Sequence, residues 1–466
     1  MRAGRAAWCE LHLRFSAARA IRKTGGTVQA ADKKIGAFAA TMMVVSMMIG
    51  SGIYLLPAGL GAIGSISLLG WIAAVIGAAM LAGVFSMLAI LKPGGAGLFS
   101  YVGDALGPAA GFVSAMLYWF ATWIGGAAVA LAVAGYLSVF LPVVAKPPGI
   151  TVATVAIVWL LIAANMIGAR FVARIQSVSL AVGLAPVLLI ALFGWFYFHA
   201  GTFAASWNVT GGNFLHVVPR SVVMVFWAFL GIECAVVISP LVRNPSRDVP
   251  IASLGGLAIA AAIYIAASAA IMGILPASVL VKSSAPFAAA AVPILGASMA
   301  AAVALCAMLK ASGTLGVVIL SAVATADSPS MLGQLRNPTD ARQAGAVSTP
   351  SLILTGILMS LVVAASASPT LARQFTIVAN VTVVICVLVY VAACVALLRM
   401  SNAAPRSMQL LARVLAVGAL LFCIALISAS EPDLLIWSAA TIAIAALAYV
   451  PVRRRRLTAS RMNAAA

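Results

Sequence analysis

The sequence predicts an all-α integral membrane protein of twelve transmembrane helices, built as a 5+5 inverted repeat with helices 1 and 6 broken. Three observations carry that prediction. Of the 466 residues, 64% are hydrophobic and only 8% are charged, too little charge to solvate a globule of this size. Apolar runs of the ~20 residues that cross a hydrocarbon core recur along the whole chain. Two of those runs, five apart in order, are interrupted by glycines in mid-span.

The expected spans are 38–60, 65–91, 109–141, 150–168, 176–198, 218–240, 251–276, 290–321, 348–367, 374–398, 408–429 and 434–451. Uninterrupted apolarity without strict alternation makes them helices rather than barrel strands. Residues 1–34 read as a basic cytoplasmic tail rather than a cleaved leader, since they hold eight Lys/Arg and no long apolar core. The body is 35–451, with repeats 38–198 and 218–398 and two extra helices over 408–451, and 452–466 is a second basic tail. With the N-terminus inside, 23 Lys/Arg fall on the cytoplasmic side and only Lys146, Arg220, Lys282 and Arg373 outside. Shifting the topology by one span destroys this asymmetry, so both termini are expected in the cytoplasm of a bacterium, with the spans in its inner membrane.

The first span contains Met47-Met48-Ile49-Gly50-Ser51-Gly52-Ile53-Tyr54. Each mid-helix Gly costs ~1 kcal/mol against Ala and loosens the backbone. The sixth contains Trp227-Ala228-Phe229-Leu230-Gly231-Ile232-Glu233. Unwinding at both places frees N–H and C=O groups to hold a small polar ligand, the pattern of carriers made from inverted repeats. Close helix packing is the bland alternative for such glycines.

Glu233 and Lys310 are the two charges deep in spans. At bilayer depth a charge costs at least ~2.5–3.5 kcal/mol on insertion scales, which marks both as functional candidates. Glu233 lies 15 residues into span six and Lys310 about 20 into span eight, so their depths coincide if span eight begins somewhat later than 290. An ion pair between them is one expectation. A second is that the Lys310 ammonium stands in for a bound cation and couples the cycle to protons, and a third is a purely structural pair.

The same inventory excludes other classes. The net charge of +19 lies in alternate loops and tails, which argues against nucleic acid. His12, His199 and His216 lie outside the spans and the six cysteines form no CxxC, so no metal or other cofactor is expected. A membrane enzyme needs an embedded constellation of His, Cys or Asp, and a proton-pumping subunit needs a relay of buried ionisable groups, neither of which is visible. The chain is therefore expected not to be an enzyme.

Several motifs carry a family resemblance over roughly residues 33–450. They are Ile49-Gly50-Ser51-Gly52-Ile53, Leu117-Tyr118-Trp119 with Trp123-Ile124-Gly125, Phe226-Trp227, Gly231-Ile232-Glu233, and Arg243-Asn244-Pro245-Ser246-Arg247-Asp248-Val249-Pro250-Ile251-Ala252. In the last, Asn244-Pro245 is expected to end one helix and Pro250 to open the next. The chain resembles the amino acid–polyamine–organocation superfamily, and within it the basic amino acid/polyamine antiporters of the bacterial arginine/agmatine type. The resemblance implies exchange of an amino acid for its decarboxylated amine by alternating access, pH-gated and of the acid-resistance kind. Protons, membrane lipid and a homodimer partner are implied with it.

By that resemblance the Gly50-Ser51-Gly52 break holds the substrate carboxylate, Met48 is a further substrate-binding residue beside it, and Trp227 stacks on the cationic end as the outer gate. Ala121, Thr122, Leu230 and Thr382 line the pocket. Tyr118, Glu233 and Tyr390 form a cytoplasmic-side gate with Glu233 the proton-sensing member. Four positions depart from the arginine/agmatine pattern. Met47 and Gly126 replace amides, Val318 replaces an indole and Lys310 replaces a small residue. A lysine ammonium 4 Å from a cationic side chain would repel it by ~4 kcal/mol at an effective dielectric near 20. The alternative expectation is therefore a proton-coupled importer of neutral or other amino acids.

Overall fold

The computed structural model describes residues 34–50, 52–92, 98–239, 242–326 and 348–465, and of residues 169, 170, 173 and 454–465 the backbone alone. Among these residues there is no strand; a single isolated bridge joins Ile35 to Val242. The first expected span is two helices, α1 (Ala37–Met48) and α2 (Gly52–Gly61), bent by 43° to each other. Then follow α3 (Ser67–Leu91), α4 (Leu98–Leu106), α5 (Pro108–Leu137), α6 (Gly149–Ile167) and α7 (Ala169–Phe193). The sixth expected span is α8 (Phe214–Phe226), a tight turn over Trp227–Phe229, and the one-turn α9 (Cys234–Val237). The remainder is α10 (Pro245–Ile274), α11 (Pro286–Leu295), α12 (Ala297–Ala326), α13 (Thr349–Ala365), α14 (Leu371–Met400), α15 (Arg406–Ser428) and α16 (Pro432–Ala465).

Ten of the helical segments are long and apolar enough to cross a membrane, and the bent pair α1–α2 makes eleven. The ninth expected span is occupied by α13, an apolar helix of 17 residues. The outward faces are themselves apolar, with Phe196, Leu160, Leu410 and Leu447 each more than 60% exposed. In water such a surface would aggregate; in a bilayer it meets lipid tails. The chain is a multi-pass membrane protein.

Two expectations about helix boundaries are corrected. Span eight begins not at 290 but at Ala297, because Pro286–Leu295 forms its own helix and the chain turns at Gly296. The helix after Asn244 begins at Pro245, not Pro250. A first-turn N–H has no intrahelical acceptor, so Pro245 loses nothing there. Asp248 places a carboxylate in the first turn, where the helix dipole favours it, and its Oδ2 accepts the Asn244 N–H at 3.4 Å. Pro250 is carried in the second turn instead.

At the centre lies α5, which packs most extensively against α12 and α14, while α12 also packs closely on α7. On the other side of the bundle α10 lies against α1 and α3. These contacts enclose the two broken spans. Tyr136 of α5 donates its hydroxyl to Tyr54 O in α2 at 2.9 Å, and Tyr54 donates its own to Gly183 O in α7. The α2 half of the first span is thus fixed to two long helices. The start of α1 is tied elsewhere: the Arg243 N–H donates to Ile35 O at 3.0 Å and the Arg243 Nε–H to Lys34 O at 3.2 Å.

Candidate functional site

The two interruptions face each other. At the end of α1 the Gly50 N–H donates to Met48 O at 2.7 Å, a turn too tight to continue the α-helical ladder. In the sixth span, Leu230 is extended and Gly231 has φ +102°, a left-handed conformation that L side chains avoid. Glycine at 231 is therefore demanded by the backbone. A Cβ there would lie 3.5 Å from Met47, so each break forms one wall of the space opened by the other.

Beyond that turn stands Glu233, only 4% exposed. Its Oε1 accepts the Tyr118 hydroxyl of α5 at 3.0 Å, and its Oε2 accepts the Tyr390 hydroxyl of α14 at 2.7 Å. The Gly231 N–H donates to Oε2 at 3.1 Å. Three donors from three elements answer one buried carboxylate, the pairing that a carboxylate out of water requires. Both phenols are fixed by aromatic neighbours. The Tyr390 ring meets Phe85 edge-on at 5.3 Å and the Tyr118 ring lies 5.1 Å from Phe99.

Above the carboxylate is a cavity of about 140 Å³. Met48 and Gly52 line it from the first span, and Tyr118, Ala121 and Thr122 from α5. Trp227, Leu230 and Glu233 line it from the sixth span and Thr382 from α14. Nine of the residues singled out in the sequence thus border one space. Ser51 lies outside the described residues. Tyr390 stands behind the cavity and reaches it through Glu233.

The Trp227 indole sits directly over Gly52. A Cβ at 52 would lie 2.6 Å from Nε1 and 2.7 Å from Cδ1, so only glycine permits this approach. The indole's far edge reaches Gly125, and Phe375 of α14 abuts it edge-on at 5.9 Å.

Lys310 is placed differently from the sequence expectation. It is fully buried in α12 but does not line the cavity. Its Nζ donates to Ser46 O near the end of α1 at 3.4 Å and to Thr314 Oγ1 at 3.2 Å. The only ion pairs among the described residues are Lys92–Asp104 and Arg220–Glu431, so Glu233 and Lys310 are not an ion pair. The reason is rotational: depth along α12 does not fix which way the stem points. It runs past Gly183 of α7, where a Cβ would overlap it.

Other lining residues were not anticipated, among them Thr314, Ser321 and Cys386. Thr314, Val318 and Ser321 lie four and three residues apart on α12, the spacing of one helical face. One helical turn beyond Lys310 reaches Thr314, and two further turns along the same face reach Val318 and Ser321. Met47 and Val318, two of the four departures, also border the cavity, and Gly126 lies just behind it against Val318 and Met359.

Fold and site together define a helical membrane protein with a ligand-sized cavity between two interrupted spans and one buried carboxylate at its floor. The chain belongs to the amino acid permease family, whose pattern matches residues 35–464. That family is one of permeases, not enzymes. It is similar to the cadaverine/lysine antiporter of Escherichia coli K12, with 43% identity over 264 residues. That match covers 57% of this chain and 59% of the relative, so about three fifths of the relative's length is spanned. It is also similar to the putrescine transporter PotE of the same organism, 30% identical over 423 residues, or 89% of this chain and 95% of the relative. The PotE of Haemophilus influenzae gives 30% identity over 424 residues, 89% and 96% of the two chains.

Proposed function

We propose that the chain is a secondary transporter of a bacterial inner membrane that exchanges a dibasic amino acid for its decarboxylated diamine by alternating access. In this reading the ten long helices, the bent pair and α13 make twelve crossings, with 38–198 and 218–398 as inverted repeats. Both termini and the basic tails over 1–34 and 452–466 are cytoplasmic. The observation that carries the reading is Glu233. It is a carboxylate in the floor of a cavity between two broken spans, held by Tyr118, Tyr390 and the Gly231 N–H. An ammonium entering that cavity finds one countercharge and several hydroxyls, and approaching Glu233 it competes with the phenols. Occupancy at the centre thereby loosens the inner gate, while Trp227 closes the outer side over Gly52. The first-turn N–H groups of α2, which starts at Gly52, have no intrahelical acceptor and suit a carboxylate at the opposite end.

Lysine and cadaverine suit this lining better than the arginine/agmatine pair that the resemblance implied. An ammonium needs one acceptor cluster, whereas a planar guanidinium needs a fork of acceptors and an aromatic face. The cavity offers Thr122, Thr314, Ser321 and Thr382, but Met47 and Val318 where amide and indole would serve a guanidinium. The cadaverine/lysine and putrescine names of the relatives favour the same class. The case for a neutral substrate rested on the Lys310 ammonium and the missing amides; that ammonium does not itself line the cavity, and it is engaged by Ser46 O and by Thr314 of the cavity wall.

Thermal unfolding of the purified protein against amino acids and their amines tests the proposal. A ligand at a hundred times its Kd stabilises the folded form by about 2.7 kcal/mol. Lysine and cadaverine are expected to raise Tm. A rise with neutral amino acids alone would overturn the substrate class.

A further inference from the structure

The central cavity is not the larger one. A second cavity of about 420 Å³ opens at the end of the bundle where α2 finishes, α8 begins and α15 turns into α16. In the topology proposed above this is the periplasmic face. Its rim carries Arg220 of α8 and Glu431 of the α15–α16 turn, with Nη2 and Oε1 3.1 Å apart and both side chains more than 60% exposed. Its deeper wall is Met224, Thr376 and Asn380. The Asn380 Oδ1 is buried and accepts no hydrogen bond.

That wall is the outer surface of the lid over the central cavity. Met224 is one helical turn before Trp227. Thr376 follows Phe375, whose ring braces the Trp227 indole. Asn380 is two residues before Thr382, which lines the central cavity. Lining residues of the two cavities thus lie within three positions of each other in both the sixth span and α14. The outer one presents a guanidinium, a carboxylate and an unanswered amide oxygen within one space.

We propose that this outer cavity is a first-contact site for dibasic amino acids and diamines, in which Glu431 and the Asn380 amide oxygen take an ammonium and Arg220 takes an α-carboxylate. The inference rests on the exchange reading. It adds a second site in series with the first and a division of labour between two side chains. An exposed ion pair contributes only ~0–1 kcal/mol, so a ligand bearing both charges can part Arg220 from Glu431 at little cost and leave each with a partner. Diamines have no carboxylate and need Glu431 and the Asn380 oxygen but not Arg220. Arg220 is therefore the residue that distinguishes the amino acid from its decarboxylated product before either reaches Trp227.

Cysteine protection tests this on the full-length purified protein. A cysteine is introduced as Thr376→Cys in the wall, and separately as Thr210→Cys at the rim. Each is reacted with a neutral methanethiosulfonate, with the parent protein giving the background of native thiols. Lysine or cadaverine at roughly ten times its Kd is expected to slow modification about tenfold, since only the empty fraction reacts. Protection is expected to persist with Glu233→Gln, which disables the central carboxylate. Glu431→Gln is expected to abolish protection by both ligands, and Arg220→Ala to abolish that by lysine while leaving that by cadaverine. Protection lost with Glu233→Gln would overturn the proposal, because the thiols would then be reporting the central cavity. Tm shifts with lysine and cadaverine but no protection at either cysteine would also overturn it, while leaving the exchange reading intact.

Discussion

The closest contact at the candidate site gives the sharpest prediction. In Gly52→Ala the new methyl would stand 2.6 Å from Trp227 Nε1 and 2.7 Å from Cδ1. Non-bonded atoms of this kind settle at about 3.5–4.0 Å, so the indole has to retreat by about 1 Å. Retreat is obstructed, since its far edge meets Gly125 and Phe375 abuts it from α14. Overpacking of this sort costs about 1–3 kcal/mol. The whole cost falls on the arrangement in which Trp227 covers the cavity, because an indole swung away from Gly52 does not meet the methyl. Covered states are thus disfavoured by about 5- to 150-fold, at 1.4 kcal/mol per factor of ten. A cycle that must pass through a covered state slows by the same factor. The assay is counterflow of labelled lysine into proteoliposomes loaded with cadaverine. Gly255→Ala serves as control, since a Cβ there meets only Thr41, at ordinary contact distances of 3.5 and 3.9 Å. Wild-type turnover and KM in Gly52→Ala, with Tm unchanged, would refute Trp227 as a lid seated on Gly52.

Two further substitutions probe the charged groups. Tyr390→Phe removes the 2.7 Å bond to Glu233, and bonds to charged groups contribute about 1.5–3 kcal/mol. If that bond holds the inner gate shut, modification of Cys386, a native thiol lining the cavity, by an impermeant reagent from the cytoplasmic side should accelerate at least tenfold; an unchanged rate would remove the phenol from the gate. Lys310→Met leaves the stem in place and strips the ammonium from Ser46 O and Thr314. Exchange is expected to fall about tenfold for a lost bond of ~1–2 kcal/mol while Tm is kept or raised, since an apolar residue of similar volume often replaces a buried charge without loss. Uptake and pH dependence like wild type would exclude Lys310 from the mechanism.

How much of the site could be read in advance depended on whether the signal was local. The break in the sixth span was legible because Gly231 and Glu233 are anomalies within one apolar run, and the backbone at Gly231 has a conformation suited to glycine. Tyr118, Glu233 and Tyr390 are separated by more than a hundred residues, so nothing local linked them and only the family resemblance did. Lys310 shows where hydropathy stops. Its depth was readable, but its direction depends on where α12 starts and on Gly183 of another helix making room. The hydroxyls of Thr314 and Ser321 were within reach of helical spacing and were overlooked. For Arg220 in α8 and Glu431 in the α15–α16 turn, 211 residues apart, the sequence held no sign of contact.

The proposed pair of substrates has an electrical consequence that needs no further structure. Near neutral pH lysine carries two ammonium groups and one carboxylate, whereas cadaverine carries two ammonium groups and nothing to offset them. Taking in lysine and releasing cadaverine therefore moves one net positive charge outward per cycle. Glu233, the single deep carboxylate, faces both substrates equally and does not cancel the difference. Moving one charge through 100 mV is worth about 2.3 kcal/mol, or about fiftyfold in the equilibrium distribution. An inside-positive potential, set with valinomycin and a potassium gradient, should drive labelled lysine into cadaverine-loaded liposomes, and an inside-negative one should oppose it. Lysine-for-lysine exchange in the same vesicles carries no net charge and should show no shift in its final distribution. Heteroexchange equally indifferent to potential would mean that the chain swaps substrates of equal charge or moves a compensating ion with them. The amino acid-for-diamine reading would then have to be abandoned in its present form.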